Sequence, residues 1–280
     1  MTVLRGSALA IMVVGTACAV ERTAPEHTRA AAQPIIGGTL SEPGEFPATG
    51  MIVNGARLVC TATLIGPDVV LTAAHCLAQP TFGSLAFTLD TDASDGLDNV
   101  ISSSVWHRHP GFDNGVDDFV DIAIRNDIGV LVLDEPILDV APELIEQQAD
   151  AAAIEPGAPL AVCSYGRVVW HIGSLAYKQD AEVLVERSES HEFSTTPDGP
   201  QPCSGDSGGP LFAETANGRR IVGVVSRAFG RSHMCDTGAI ITRVKPYADW
   251  IYLASRDHNT GGCSTGGGGA ALPLGLLGLA

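Results

Sequence analysis

The chain has 280 residues, a formal net charge of −16 and seven cysteines. A nucleic-acid binder needs a basic footprint, and no stretch of this acidic chain supplies one. With the two ends set aside, about 220 residues remain, enough for one large all-β unit or two small barrels.

Residues 1–19 read as a signal peptide. Arg5 gives a modest positive start, Ala8 to Val14 is apolar, and Ala17-Cys18-Ala19 supplies the small-residue cleavage pattern. The apolar run is too short to span a bilayer as a stable helix. Cys18 admits a second reading, as a cysteine lipidated after cleavage before it. The usual lipoprotein signal carries a larger aliphatic residue where this chain has Gly15, so ordinary cleavage is preferred. A secreted or cell-surface location is expected. Export favours disulfides, so the other cysteines are read as candidate pairs.

The body, Ile35 to Ser255, is punctuated like an all-β protein. Apolar runs recur at Met51–Val53, Leu58–Ile65, Val69–Ala73, Ile128–Leu133, Leu160–Cys163 and Ile221–Val225, separated by Gly, Pro, Asp and Asn clusters. Such spacing suggests a barrel or a sandwich. The run from Asp90 to Asp98 offers alternating oxygens of the kind calcium accepts, but lacks the spacing and final Glu of an EF-hand. It is read as a solvated acidic loop, and structural calcium is not predicted. His107 and His109 alternate at a strand end, and no zinc is assigned. The alanine-rich stretch from Glu143 to Glu155 is a linker or a short helix, placed where a connection between two halves would fall. After Pro246, Tyr247, Trp250, Ile251 and Ala254 share one helical face, predicting a single helix that docks on a barrel.

Three motifs carry chemistry. Gly205-Asp206-Ser207-Gly208-Gly209-Pro210 surrounds a serine with glycines, which lets backbone N–H groups converge on one point. A serine hydroxyl needs both a base and a place for a developing oxyanion. Leu71-Thr72-Ala73-Ala74-His75-Cys76 puts an imidazole at a strand end. Asn126-Asp127-Ile128-Gly129-Val130-Leu131-Val132-Leu133 leads an aspartate into an apolar strand, where a buried carboxylate could fix the histidine tautomer. Asp121-Ile122-Ala123 is a rival aspartate. Asp127 is preferred because a longer apolar strand follows it.

Together these motifs resemble the trypsin/chymotrypsin family of serine proteases, in that family's order of His, Asp and Ser. The resemblance begins at Ile35-Ile36-Gly37-Gly38 and runs through Thr242-Arg243-Val244 to the Tyr247–Ile251 helix. It implies two antiparallel six-stranded β-barrels with a C-terminal helix, and a protease domain over 35–255. It implies a serine endopeptidase acting on protein or peptide substrates through an acyl-enzyme, with no required cofactor. His75, Asp127 and Ser207 would be catalytic, and the N–H groups of Gly205 and Ser207 the oxyanion hole. Disulfides would join Cys60 to Cys76 and Cys203 to Cys235; Cys163 has no evident family partner and is read as a buried free thiol, since Cys263 could pair with it only if the glycine-rich tail folds back.

The family's maturation implies a propeptide over 20–34 and a pair between the freed Ile35 amine and Asp206. Pro34 stands where trypsin-activated relatives carry Arg or Lys, so a different activating protease, or trimming from Arg29, is expected. Gln201 aligns with the base of the primary specificity pocket, and Ser226, Ala228 and Gly238 with its walls. Arg227 stands where the family usually has tryptophan. It is expected either to favour acidic residues in the neighbouring subsite or to turn to solvent. Residues 256–280 form a Gly-rich linker and a short apolar tail. This tail resembles the C-terminal sorting tails of myxobacterial surface proteins, without their terminal arginines. Membrane contact is expected only through lipidation or this tail. The alternative reading is a catalytically silent binding protein of the same fold. A serine esterase of the α/β-hydrolase type is disfavoured, because His75 precedes Ser207 and alternating helices are missing.

Overall fold

The computed structural model describes residues 35–258 apart from 56, 78–84, 93–95, 116–120, 151, 153, 167–176 and 231–234. The signal peptide, the propeptide and most of the tail, with Cys18 and Cys263, lie outside the described residues.

Fourteen strands run in chain order. They are β1 (Thr39–Leu40), β2 (Thr49–Asn54), β3 (Arg57–Leu64), β4 (Val69–Thr72), β5 (Leu85–Thr88), β6 (Ile101–Ser103) and β7 (Val105–Arg108). There follow β8 (Gly129–Val132), β9 (Pro159–Ser164), β10 (Gln179–Ser188), β11 (Glu192–Thr195), β12 (Pro210–Thr215), β13 (Gly218–Ala228) and β14 (Ala239–Arg243). They form two antiparallel sheets of seven strands each.

The sheets are two six-stranded barrels, and the counts reconcile in physical terms. In the first sheet the order is β6-β5-β2-β3-β4-β8-β7. Its two end strands are one bent strand, interrupted only at Ser104. Asp134 anchors the bend by accepting from the Ser104 N–H at 2.9 Å, and the Asp134 N–H donates to the Ser102 carbonyl at 2.8 Å. In the second sheet β9 pairs with both β12 and β10, closing a ring of six. The two-residue β1 is an addition on the outside of β10.

Strand alternation explains why the apolar runs are continuous. Val70, Leu131 and Leu133 enter the first barrel's interior with Ile52, Leu64 and Phe87. Their neighbours Val69, Leu71, Val130 and Val132 point the other way and are also buried. There they meet Phe212, Ile221 and Val224 of the second barrel. A strand buried on both faces loses the polar alternation of a half-exposed one. Phe46 stacks on Phe212 with ring centroids 5.2 Å apart, and the Arg219 guanidinium lies over both rings. The second barrel has its own interior, built on Leu160, Val162, Val183, Phe193 and Ile241.

The stretch from 141 to 158 joins β8 to β9 and hence one barrel to the other. It forms no helix among its described residues. Its polar backbone is satisfied from both sides: the Glu143 N–H donates to Leu64 of the first barrel, and the Glu146 N–H to Ile221 of the second. The expected helix forms at the end of the body. A short 3₁₀ turn, Lys245–Tyr247, carries Pro246 within its first turn, where a missing N–H costs nothing. It leads into α1 (Ala248–Ala254). Tyr247, Ile251 and Ala254 are buried in the cluster between the barrels, with Trp250 packed against it.

Candidate active site

His75 sits on a 3₁₀ turn, Ala74–Leu77, immediately after β4. The Cys60–Cys76 disulfide ties that turn to β3. Asp127 precedes β8. Asn126, just before it, has φ of 53°, a left-handed conformation that Asn tolerates better than most residues. Tyr247 donates to the Asn126 side-chain oxygen at 3.0 Å, and the Asn126 amide donates to Gly111 at 2.7 Å. This tethered turn delivers the Asp127 carboxylate to His75.

The contact is two-pronged. Asp127 Oδ2 lies 2.8 Å from His75 Nδ1, and Oδ1 accepts from the His75 backbone N–H at 2.9 Å. Ser226 Oγ donates a third bond to Oδ2 at 2.6 Å. The Asp127 side chain is 5 % exposed and that of His75 30 %. Burial alone would push Asp127 up. The His75 charge and the hydrogen bonds from His75 and Ser226 outweigh it, so its pKa falls below the ordinary 3.8. For His75, burial pulls down, the Asp127 charge and hydrogen bond pull up, and Arg227 opposes them. The net result lies above 6.5. The structure does not bring Asp121 to His75. It is exposed and pairs with Arg187 at 2.7 Å.

Ser207 is half-buried, and its loop is held by both barrels. The Thr61 N–H of β3 donates to the Ser207 carbonyl at 2.9 Å, and the Thr61 hydroxyl donates to the Gly205 carbonyl. The Gly208 N–H donates to Val225 of β13 at 2.8 Å, one residue from the Ser226 that holds Asp127. Gly208 has φ of 82°, and a Cβ there would lie 2.2 Å from both Thr61 O and Thr72 Oγ1. Only glycine allows the serine loop to approach the strand that leads to His75. Among the described residues, neither the Gly205 nor the Ser207 N–H donates to a protein acceptor.

The remaining predicted residues fall as follows. Cys203 and Cys235 are joined, and Cys163 is free and buried, its thiol pushed by burial to about 12. Asp206 is fully buried. Its carboxylate accepts from Ser164 Oγ at 2.6 Å and the Cys203 N–H at 2.6 Å. Burial pushes its pKa up to about 7 against those bonds and one from the Gly166 N–H. Ile35, peptide-bonded to Pro34 in the uncleaved chain, has its side chain in the second barrel's interior. Ile36 exchanges two backbone hydrogen bonds of 2.9 Å with Gln201. The Gln201 amide donates to Thr196 O at 2.8 Å, while its own oxygen is buried without a donor. Gly238 packs against Thr195, where a Cβ would lie 2.3 Å from the carbonyl oxygen. Ala228 pairs with Ala239 on β14. Ser226, read as a pocket wall, has its hydroxyl engaged by Asp127.

Arg227 does not turn to solvent. Its side chain is 6 % exposed, and it grips Glu192, which is 1 % exposed. The Glu192 carboxylate, not solvent, satisfies its charge. Sequence reading missed Glu192, Thr61 and Thr72. Glu192 alone carried a signal, as a charge within a short segment that otherwise suits a strand.

His107 and His109 form no metal pair. His107 Nε2 meets the Asp257 carbonyl at 2.8 Å, and His109 packs edge-on against Tyr247 and Trp250. The one grouping of metal-ligating atoms among the described residues is Cys60, His75 and Cys76. Its sulfurs are joined to each other and offer no thiolate.

Two closed β-barrels, an imidazole–carboxylate pair and a glycine-flanked serine whose loop is tied to β3 and abuts β4 suit a hydrolase; among the described residues no hydrogen bond joins Ser207 to His75. The chain belongs to the trypsin family and is a serine endopeptidase: a family model described as Trypsin matches residues 35–251. It is 29 % identical to chymotrypsin-C of Bos taurus over 231 residues, covering 71 % of this chain and 78 % of that one. It is 27 % identical to mast cell protease 3 of Ovis aries over 245 residues, covering 81 % and 92 % respectively. Its fold is similar to that of neuropsin, a serine protease expressed in the limbic system of mouse brain. The TM-score is 0.61 at 21 % identity, with 77 % of this chain and 97 % of that chain covered.

Proposed function

We propose that the chain is an exported endopeptidase, made as an inactive precursor, that cuts peptide bonds through an acyl-enzyme on Ser207. In this reading Ser207 attacks the carbonyl, His75 takes its proton and later gives it to the leaving amine, and Asp127 orients His75. The Gly205 and Ser207 N–H groups receive the oxyanion. The observation that carries the reading is the pair of bonds from Asp127 to the ring and backbone of His75, which holds the imidazole through Nδ1 and leaves Nε2 off the carboxylate. With Nδ1–H donating to Asp127, Nε2 is the acceptor a general base requires.

Residues 1–19 would direct export, and residues 20–34 would be removed to free the Ile35 amine for Asp206. Among the described residues no helix is long and apolar enough to cross a membrane. Lipidation at Cys18 and attachment through the tail remain alternatives to free secretion. The test is labelling of the exported protein with a fluorophosphonate, which reacts with activated serines. Wild type is expected to label and Ser207→Ala not to. An unlabelled wild type would favour the silent binding protein. N-terminal sequencing of the labelled form is expected to begin at Ile35, and any other start removes the Ile35–Asp206 pairing.

A further inference from the structure

The Arg227–Glu192 pair lies beside the acid–base pair and has no place in the mechanism above. It originates in a bulge. On β14, Ile241 faces Val225 and Ile240 faces Arg227, so Ser226 is an extra residue in β13. Bulges re-aim side chains, and here two consecutive residues reach the same cluster. Ser226 Oγ meets Asp127, and Arg227 Nη1 lies 3.2 Å from that same Oγ.

The guanidinium donates to four acceptor atoms on three residues. Nη1 donates to Glu192 Oε1 at 2.9 Å as well as to Ser226. Nη2 donates to Glu192 Oε2 at 2.8 Å and to the Asp121 carbonyl at 3.1 Å. Glu192 Oε2 also accepts from the Ala123 N–H at 2.9 Å. The pair thus fastens β13 and β11 to the 121–123 segment, which runs directly into Asn126 and Asp127. Its effect on Ser226 follows from chemistry. A hydroxyl has one proton, and arginine can only donate. Arg227 therefore occupies a lone pair of Oγ and leaves the Ser226 proton one acceptor in this cluster, Asp127 Oδ2.

We propose that Arg227 is a positioning residue for the His75–Asp127 pair, acting through the Ser226 hydroxyl and through Glu192. The proposal rests on the reading of His75, Asp127 and Ser207 as the catalytic groups. It carries an electrostatic signature. The charged groups facing His75 are Asp127, which raises its pKa, and Arg227, which lowers it. Those facing Arg227 are Glu192 and, beyond Ser226, Asp127. Tyr247 packs near both carboxylates, whose charges push its own pKa up along with burial.

The test uses the exported protein and the fluorophosphonate probe, read as inactivation rate at saturation, half-saturating concentration and pH midpoint. Arg227→Met with Glu192→Gln removes both charges, so neither is left buried alone. This double variant is expected to slow inactivation at saturation about tenfold, the kinetic equivalent of one hydrogen bond. Its half-saturating concentration should hold, and its acid-limb midpoint should move upward. Ser226→Ala should slow inactivation comparably. Adding the double change to Ser226→Ala should produce no further slowing, because both act on one bond. Rates that multiply in the combined variant overturn the proposal. So does a change confined to the half-saturating concentration, which would make Arg227 a subsite residue, or a double variant indistinguishable from wild type. If the wild type itself does not label, the protease reading fails and not this inference alone.

Discussion

At the scale of single residues, the two aspartates provide the sharpest contrast. Asp127→Asn keeps the shape of the side chain but removes the acceptor that fixes the His75 tautomer. Turnover is expected to fall about 10⁴-fold with melting temperature nearly unchanged. Asp121→Asn touches an exposed pair with Arg187 and a bond from the Ile122 N–H, and is expected to alter turnover less than about threefold. Exchange of those two results would move the catalytic carboxylate to Asp121. With His75 as the proposed base it must be neutral to act, and its pKa is raised above 6.5, so kcat/KM should rise with pH through a midpoint above 6.5. Gly208→Ala forces a Cβ against Thr61 O and Thr72 Oγ1. Lower thermal stability and loss of fluorophosphonate labelling are expected together. A variant that melts and labels like wild type would mean the serine loop is not pinned to β3.

At the scale of elements, legibility followed burial chemistry. β2, β3, β4, β8, β9 and β13 were visible as apolar runs because they are buried on both faces, or nearly so. β11 was not, although every one of its residues is buried: Glu192, Ser194 and Thr195 are polar yet enclosed. Their burial depends on partners distant in sequence, such as Arg227, and a single sequence does not display those partners. β10 alternates, with Val183 and Val185 inward and Leu184 outward, but its acidic residues broke the run. The candidate triad was legible because each group sits in a local motif, whereas the Ser226 bulge exists only relative to β14. The closing helix was legible from spacing alone. Ile251→Ala, at a site 2 % exposed between the barrels, should cost about 2–5 kcal/mol, seen as a lower Tm with the pH profile of activity unchanged. A cost under about 1 kcal/mol would mean that the helix is not part of the core.

At the scale of the whole molecule, burial of Asp206 ties stability to pH. In the uncleaved chain its pKa is about 7, above the ordinary 3.8, because burial disfavours its charge. The folded state therefore holds this proton more tightly than the unfolded state. The associated stability is complete below about pH 4 and is lost as pH rises to about 7. Uncleaved Ser207→Ala protein should melt progressively lower over that range, relative to the same protein carrying Asp206→Asn. A constant difference between the two would show that Asp206 titrates normally.

The bond from Thr61 to the Ser207 carbonyl has a consequence for how this enzyme could be divided. Thr61 lies upstream of the 141–158 crossing and Ser207 downstream of it, so a polypeptide bearing Ser207 alone lacks the strand that donates to its carbonyl. Severing the crossing would yield one fragment with His75 and Asp127, and another with Ser207 held only by the second barrel and without the Thr61 bond. Hydrolysis by a mixture of the two would then depend on the product of their concentrations.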